Sequence, residues 1–395
     1  MAKVVIIGGG YGGLKAIARL ANKGIEVTLI DKNGYHYLQT EAYDFIANKC
    51  NISDMTVDIA SYCRGYDETI NFLLDEVVAI DKLHNQLTTK SGTKVAFDYL
   101  IIASGAKTNF PRFIEGIEQN SNGVKTLVRA LEFKQHFEST LYNYIKNQNE
   151  CKIQSINIVV GGAGLSGVEI AAEMNYILKA YLKVIGMKCE GFNITLIDAA
   201  ATILPEMDAK VIDFTQKRLE NLGVVIKTNS FIEKVDKNSL TLQNGEIVPF
   251  DFMIFTGGIK AQNIGASEDE INRFGQYVVD DFYRVKGCGN IFAIGDVAQV
   301  TNDGVAVAPT AQSAEQAGIF CASNILRKIQ GRPMKKRLPK IYGYFIALGG
   351  KYAVGTLFGR VVIKGYGAYL LKRFITLFYK KLLKMKVEKG YKESV

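Results

Sequence analysis

Hydrophobic and polar positions along this chain follow two alternating periods. Lys3 is followed by a β-branched run, Val4 to Ile7, which stops at glycines. Leu14, Ile17, Leu20 and Ala21 then recur at helical spacing, and Gly24 closes that stretch. A second apolar run, Val27 to Ile30, ends on Asp31. The pattern predicts strand, glycine turn, helix, strand. The same order returns later. Ile156 to Val160 reads as a strand, Val168 to Leu178 as a helix, and FNITLID as a strand ending on Asp198. Two further segments echo each other, FDYLIIASGAKTN at 97–109 and FDFMIFTGGIKAQN at 250–263. Each is an apolar strand running into small residues, the pattern of a buried parallel strand. Ile291 to Ile294 repeats that form and ends at Gly295-Asp296, with a helix expected from about Thr310. A helical segment is expected around Ala130 to Ile145, and a strand pair within 76–88.

These elements predict an α/β fold with two Rossmann-like dinucleotide-binding domains and a distinct C-terminal region. The expected division is 1–115 with 285–332 for the first domain, 116–284 for the second, and 333–395 for the tail. The glycines carry the chemistry. Gly8, Gly10 and Gly13 have the G-x-G-x-x-G spacing, as do Gly162, Gly164 and Gly167. The first glycine allows the tight turn, the second lets a pyrophosphate approach the backbone, and the third lets helix and strand pack closely. The helix N-terminus offers free N–H groups to the phosphates. Asp31 and Asp198 end strands where a carboxylate accepts hydrogen bonds from a ribose. Asp198 favours NAD over NADP, because it repels a 2′-phosphate. It lies 31 residues past Gly167, so the second helix is longer or a loop is inserted at Ile185 to Gly191. Two cradles in one chain imply two dinucleotides and electron transfer between them.

Composition narrows the class. The six cysteines, at 50, 63, 151, 189, 288 and 321, form no C-x-x-C pair, and the three histidines have no ligand spacing. Free thiols and no metal site are expected. The first ten residues lead into the glycine turn and read as a core strand rather than a signal peptide. No apolar run is long enough for a transmembrane helix. Charge is uneven. From Arg327 onward there are 18 Lys and Arg against Glu388 and Glu393, while the rest of the chain carries a net charge of −7. A basic tail on an acidic body points to a polyanionic surface. On a helical wheel of Ala368 to Lys386, Leu371, Phe374, Ile375, Phe378, Leu382 and Met385 share one face. Lys372, Arg373, Lys380 and Lys384 fall mainly on the other. This is the pattern of a helix lying in a membrane interface. The alternative is a helix packed on its own domain or on a second copy in a homodimer. No nucleic-acid recognition fold surrounds the tail.

The motifs GGGYGG, the SGA strand end, GGAGLSGVE, the TGG strand end and AIGDVA resemble those of the two-dinucleotide flavoprotein disulfide reductase-like superfamily. Within it the chain resembles the type II NADH:quinone oxidoreductases over nearly its full length. The specific pieces are GVE at 167–169, AQSAEQ at 311–316, and LGGKYAVG at 348–355 before the basic tail. Departures stand at Gln39-Thr40-Glu41, Leu165-Ser166 and Gly257-Gly258.

The resemblance implies transfer of electrons from NADH through FAD to a membrane quinone without proton pumping. It also implies a peripheral enzyme on the cytoplasmic face of the cell membrane, attached to an anionic surface. It places FAD on Gly8, Gly10, Gly13 and Asp31, with Ser104, Gly105, Gly258, Gly295 and Asp296 lining the cofactors. It places NADH on Gly162, Gly164, Gly167 and Asp198. Asp296 is read either as a partner of the ribityl chain or as an N-cap of the next helix. Glu169 is read as a hydrogen-bonding group near the nicotinamide or as a favourable acid in a first helical turn. Gln312 and Gln316, one turn apart on one helical face, are read as amides facing flavin and quinone carbonyls or as solvated glutamines. The rival activities are a sulfide:quinone oxidoreductase, which needs cysteines flanking the flavin, and a low-turnover NADH-binding flavoprotein acting as an interaction module.

Overall fold

The computed structural model describes residues 1–147, 155–184, 191–302 and 305–392. Cys151, Cys189 and the insertion expected from Ile185 lie outside these residues. In chain order, β1 (Lys3–Ile7), α1 (Tyr11–Leu20) and β2 (Glu26–Asp31) come first. Then come α2 (Ala42–Ile46), β3 (Ile70–Leu74), β4 (Tyr99–Ile102) and α3 (Leu127–Asn147). The second unit holds β5 (Ile156–Gly161), α4 (Leu165–Val184), β6 (Phe192–Ile197), β7 (Val225–Lys227) and β8 (Phe252–Phe255). The chain then adds β9 (Ile291–Ala293) and α5 (Ala311–Ile329). It ends with β10 (Gly343–Ala347), β11 (Ala353–Leu357), β12 (Val361–Gly365) and α6 (Tyr366–Lys392).

The first sheet has the order β9-β4-β1-β2-β3, and all its pairings are parallel. The second has the order β7-β6-β5-β8, also parallel throughout. In both, the strand leading into the glycine turn is central. It is flanked by the acid-ending strand on one side and the small-residue-ending strand on the other. Such a sheet is covered on both faces, which explains its near-continuous apolar runs. Val4 to Ile7 and Ile158 to Val160 are buried at 5% exposure or less. α4 runs to Val184, well past the expected Leu178, and this accounts for much of the longer spacing to Asp198. The strand pair expected within 76–88 is present, antiparallel, as Val77–Asp81 with Gln86–Thr89.

The two echoing segments meet directly. Ala106–Thr108 pairs antiparallel with Ile259–Ala261, so the stretches following the two strand ends form one clasp between the units. Ser104 Oγ donates to the Gln262 carbonyl at 2.6 Å, and Gln262 Nε2 donates back to the Ser104 carbonyl at 3.2 Å. α1 and α5 touch backbone to backbone, because a Cβ on Gly318 would lie 2.2 Å from the Gly12 carbonyl oxygen.

The C-terminal helix packs on its own chain along one side, the alternative left open by its sequence, and departs from the expected wheel at Lys372. It runs to Lys392 and has an inward as well as an outward side. Ala368, Leu383 and Gly390 are buried. A Cβ on Gly390 would lie 1.9 Å from the Ser61 carbonyl oxygen, so this end of α6 is pressed against the short helix Ile59–Arg64. Lys372 is not on the solvent-facing side. It shares the inward face with Ala368 and Leu383, at helical intervals of 4 and 11 residues. The apolar face remains open, with Phe374 65%, Phe378 55% and Met385 57% exposed.

Candidate functional site

The two glycine turns are near copies in three dimensions. Gly8 and Gly162 both have φ +102°, in the region that favours glycine. A Cβ on Gly8 would lie 2.3 Å from the Ala103 carbonyl oxygen, and one on Gly162 would lie 2.7 Å from the Gly257 amide nitrogen. The third glycines are equally constrained. A Cβ on Gly13 or Gly167 would lie 1.9 Å from the carbonyl oxygen of Gly8 or Gly162. The middle glycines are different. Gly10 and Gly164 have nothing within 4 Å of a built Cβ. Open space is kept beside the one glycine whose amide a pyrophosphate must approach, at the start of a helix that favours anions.

The acids repeat as well. Asp31 accepts from the Gly9 amide at 2.7 Å and the Asn33 amide at 2.8 Å. Asp198 accepts from Ala163 N and from Ala200 N, at 2.5 and 2.8 Å. Each carboxylate thus sits over its own glycine turn, oriented by two backbone donors. Burial pushes the Asp31 carboxyl above its ordinary value, and those donors pull it back.

Between the units lies a cavity of about 350 Å³, reached by Gly10, Gly105, Glu169, Gly258, Gly295 and Asp296. A second cavity of about 570 Å³ continues from it beside Gly8, Asp31 and Ser104. Together they make a trough from the first acid to Asp296. Its open glycine and its terminal carboxylate fit an extended dinucleotide. Asp296 does not cap the following helix, because Thr310 is that cap and its Oγ1 accepts from Ser313 N. Asp296 is instead held by Lys125, Nζ to Oδ2 2.8 Å. Lys125 lies on the wall of both cavities. It stands outside every motif, and nothing in its sequence surroundings marks it. Ser104 lines the second cavity, and its hydroxyl is taken by the Gln262 carbonyl.

Glu169 is buried and accepts from the Ala347 amide at 2.9 Å and from Lys372 Nζ at 2.8 Å. One turn on, Glu173 accepts from Gly349 N at 3.2 Å, Gly350 N at 3.3 Å and Lys49 Nζ at 3.1 Å. The LGG turn and β10 are thus fastened to α4 by two carboxylates. Burial pushes Glu169 and Glu173 upward, opposed by Lys372 and Lys49 respectively. Burial alone would lower Lys372, but Glu169 and then Glu41 outweigh it and raise it, so it stays an ammonium. Lys372 lies on the cavity wall with Tyr43, Thr40 and Gln39. The Gln39-Thr40-Glu41 departure therefore shapes the cavity's edge. Thr40 Oγ1 lies 3.0 Å from the Tyr11 hydroxyl, and Glu41 accepts from Thr376 of α6 at 3.0 Å.

Gln312 and Gln316 point elsewhere. Gln312 Oε1 accepts from Tyr342 N at 2.6 Å. Gln316 accepts from Lys340 N at 3.0 Å and donates to the Lys340 carbonyl at 2.8 Å. Both amides hold the strap between α5 and β10, while neighbouring Ala311 and Ala314 reach the cavity. Among the described residues no cysteine lines the cavity.

Relatives and solved structures resemble the chain over nearly its full length. The type II NADH:quinone oxidoreductase of Staphylococcus aureus is 28% identical over 386 residues, covering 94% of this chain and 93% of that one. Its counterpart in Staphylococcus epidermidis is 26% identical over 380 residues at the same coverage. The structure of NDH2 from Plasmodium falciparum in complex with NADH superposes with a TM-score of 0.86 at 21% identity, covering 99% of this chain and 96% of that one. The sulfide:quinone oxidoreductase of Aquifex aeolicus gives 0.81 at 22% identity, covering 99% and 92%. The family model for pyridine nucleotide-disulphide oxidoreductases matches residues 2–318, taking in both glycine turns and Asp296. The chain therefore belongs to the pyridine nucleotide-disulphide oxidoreductase family.

Proposed function

We propose that the chain is an FAD-dependent NADH:quinone oxidoreductase of the non-pumping kind. The observation that carries this is the pair of matching dinucleotide cradles, each with an open middle glycine and an oriented acid. The first cradle, with Asp31 and Asp296, takes FAD, and the second, with Asp198, takes NADH. Bound there, the flavin supplies hydride acceptance from the nicotinamide and electron delivery to the quinone. The protein's part is positioning. Gly10 and Gly164 admit the pyrophosphates, the two acids take the riboses, and Lys125 holds Asp296 in place. Lys372 presents a proton-bearing ammonium to the cavity beside Tyr43, where a quinone oxygen that gains negative charge finds a donor. Glu169 holds that ammonium in place. The relatives' printed names support NADH and quinone as the substrates, and the lack of a cavity cysteine among the described residues weighs against sulfide.

The outward face of α6 supports a peripheral attachment to an anionic membrane, where a tailed quinone resides. Phe374, Ile375, Leu377, Phe378, Leu382 and Met385 are all exposed. Together they form a contiguous apolar ridge of the kind that marks an interaction surface. Among the described residues no helix is long and apolar enough to cross a membrane. Nearby lysines and arginines add about 1 kcal/mol each toward anionic headgroups.

The decisive experiment is a steady-state assay of the purified protein with NADH, NADPH and sulfide against a water-soluble quinone, with flavin identified by mass after acid release. FAD in the supernatant and NADH-dependent turnover are expected. FMN, covalently retained flavin or sulfide-dependent turnover would overturn the reading. For the membrane, Phe374→Ser with Phe378→Ser should lose sedimentation with anionic vesicles while keeping soluble-quinone activity.

A further inference from the structure

A second concave site lies away from the cofactor trough, where α1 and α5 end together. It is a cavity of about 370 Å³ walled by Arg19, Lys23, Arg327, Arg332, Lys335 and Arg337. No carboxylate lines it. None of the six side chains has a salt-bridge partner among the described residues, although the neighbouring Lys336 pairs with Asp281 at 3.1 Å. Six cations converging without a counter-charge repel one another, so the arrangement disfavours the fold unless something offsets it.

Three of the cations, Arg19, Arg327 and Arg337, are also held in place. Arg19 Nε donates to Ser323 Oγ at 2.8 Å, and Arg327 Nε donates to the Pro333 carbonyl. Asn324, almost fully buried, clamps the strap by accepting from Lys335 N at 2.9 Å and donating to the Lys335 carbonyl at 3.1 Å. The Arg337 guanidinium rests over the Phe320 ring, 5.7 Å from its centroid. The terminal nitrogens of Arg19 and Arg327 are left without protein partners among the described residues. A guanidinium fixed through Nε, with its fork free, is suited to phosphate oxygens. A phosphate monoester carries about −1.5 to −2 charges near neutral pH and a diester about −1, so six cations offset at least three phosphate groups.

We infer that this cavity binds a ligand bearing two or more phosphate groups. Two sources share that chemistry, a soluble polyphosphate and a lipid headgroup with two phosphates. The cavity lies on the flank where α6 ends. Asn22, at the end of α1, donates its amide to Asp67, and Lys386 of α6 stacks on the adjacent Tyr66. The inference stands independently of the reaction proposed above.

The test uses full-length, FAD-loaded protein with saturating NAD+, so that the nucleotide cradles are filled. Tripolyphosphate is titrated calorimetrically into wild type, into Arg327→Gln with Arg337→Gln, and into Lys210→Gln with Lys237→Gln, a control of equal charge loss elsewhere. One site per chain in wild type and control, weakened at least tenfold in the cavity variant, assigns a soluble source. In parallel, sedimentation is measured with cardiolipin vesicles and with phosphatidylserine vesicles of equal surface charge. Loss by the cavity variant on cardiolipin alone assigns the lipid source. Equal behaviour of cavity and control variants in both arms, or no binding in either, overturns the inference. NADH oxidation with a soluble quinone should be unchanged in both variants, which separates this result from any failure of the catalytic reading.

Discussion

Lys372 of the last helix reaches Glu169 in the first turns of α4, Nζ to Oε1 2.8 Å, with both side chains largely buried. The pair joins a helix with an exposed apolar face to the wall of the cofactor cavity. Removing one partner of such a pair leaves an uncompensated buried charge, at a cost of about 3–5 kcal/mol. Lys372→Met should therefore lower stability by that amount in urea denaturation. Adding Glu169→Gln should restore much of it, because the neutral amide still accepts from Ala347 N. A double variant no more stable than Lys372→Met would rule out the charge-pair account.

The glycines separate folding from binding. Gly13→Ala should fail to give folded protein, since its Cβ meets the Gly8 carbonyl oxygen at 1.9 Å. Gly10→Ala should fold, because φ is −78° and the space is open. It should nevertheless lose FAD, measured by the absorbance ratio of flavin to protein. Gly164→Ala should keep FAD and raise the KM for NADH.

Asp198 is proposed as the reader of the nicotinamide dinucleotide's ribose. A hydrogen bond to a charged group contributes about 1.5–3 kcal/mol. Asp198→Ala should lower kcat/KM for NADH by roughly ten- to a hundredfold, and for NADPH by less. Wild-type protein that uses both coenzymes equally would refute this role.

Gln316 holds the strap through two bonds to Lys340. Gln316→Ala should make residues 338–342 more susceptible to limited proteolysis. In stopped flow it should slow flavin reoxidation by quinone more than flavin reduction by NADH, because the strap leads into β10 and the cavity wall. Equal slowing of both steps would make the strap general support.

His36 offers a pH test. It is 2% exposed, and burial lowers its imidazole from the ordinary value to about 4. Between about 6.5 and that value the unfolded chain binds the extra proton and the folded chain does not. Its contribution to stability is therefore present above pH 6.5 and is lost as pH falls toward 4, by about 1.4 kcal/mol per unit. The stability difference between wild type and His36→Gln should shift by roughly 3 kcal/mol across that window. A constant difference would show that His36 does not titrate as a buried neutral group.

Much of the fold and the cradles was legible because they are encoded locally. A turn at φ +102° needs glycine, and a central parallel strand needs an unbroken apolar run. Both demands are met within seven residues of sequence at Val4–Gly10 and Ile156–Gly162. What escaped depends on distant partners. Lys125 finds Asp296 171 positions away, and Gln312 and Gln316 find a strap 24 to 30 positions on. Lys372 lay on a face that contained both Ala368 and Leu383. The apolar ridge next to it dominates the wheel, so Lys372 groups there with the basic face of an interfacial helix. Only the packing of α6 on Ile59–Arg64 shows that the helix has two apolar sides and not one.

The repetition of the cradles makes the molecule its own control. Gly8, Gly10 and Gly13 each have a twin 154 positions later. The twins share hydrogen-bond geometry and are proposed to face different coenzymes. A substitution introduced at both places alters the same turn twice, once beside each ligand. Any effect common to the pair reports the mechanics of a glycine turn, and any effect confined to one member reports the molecule it holds.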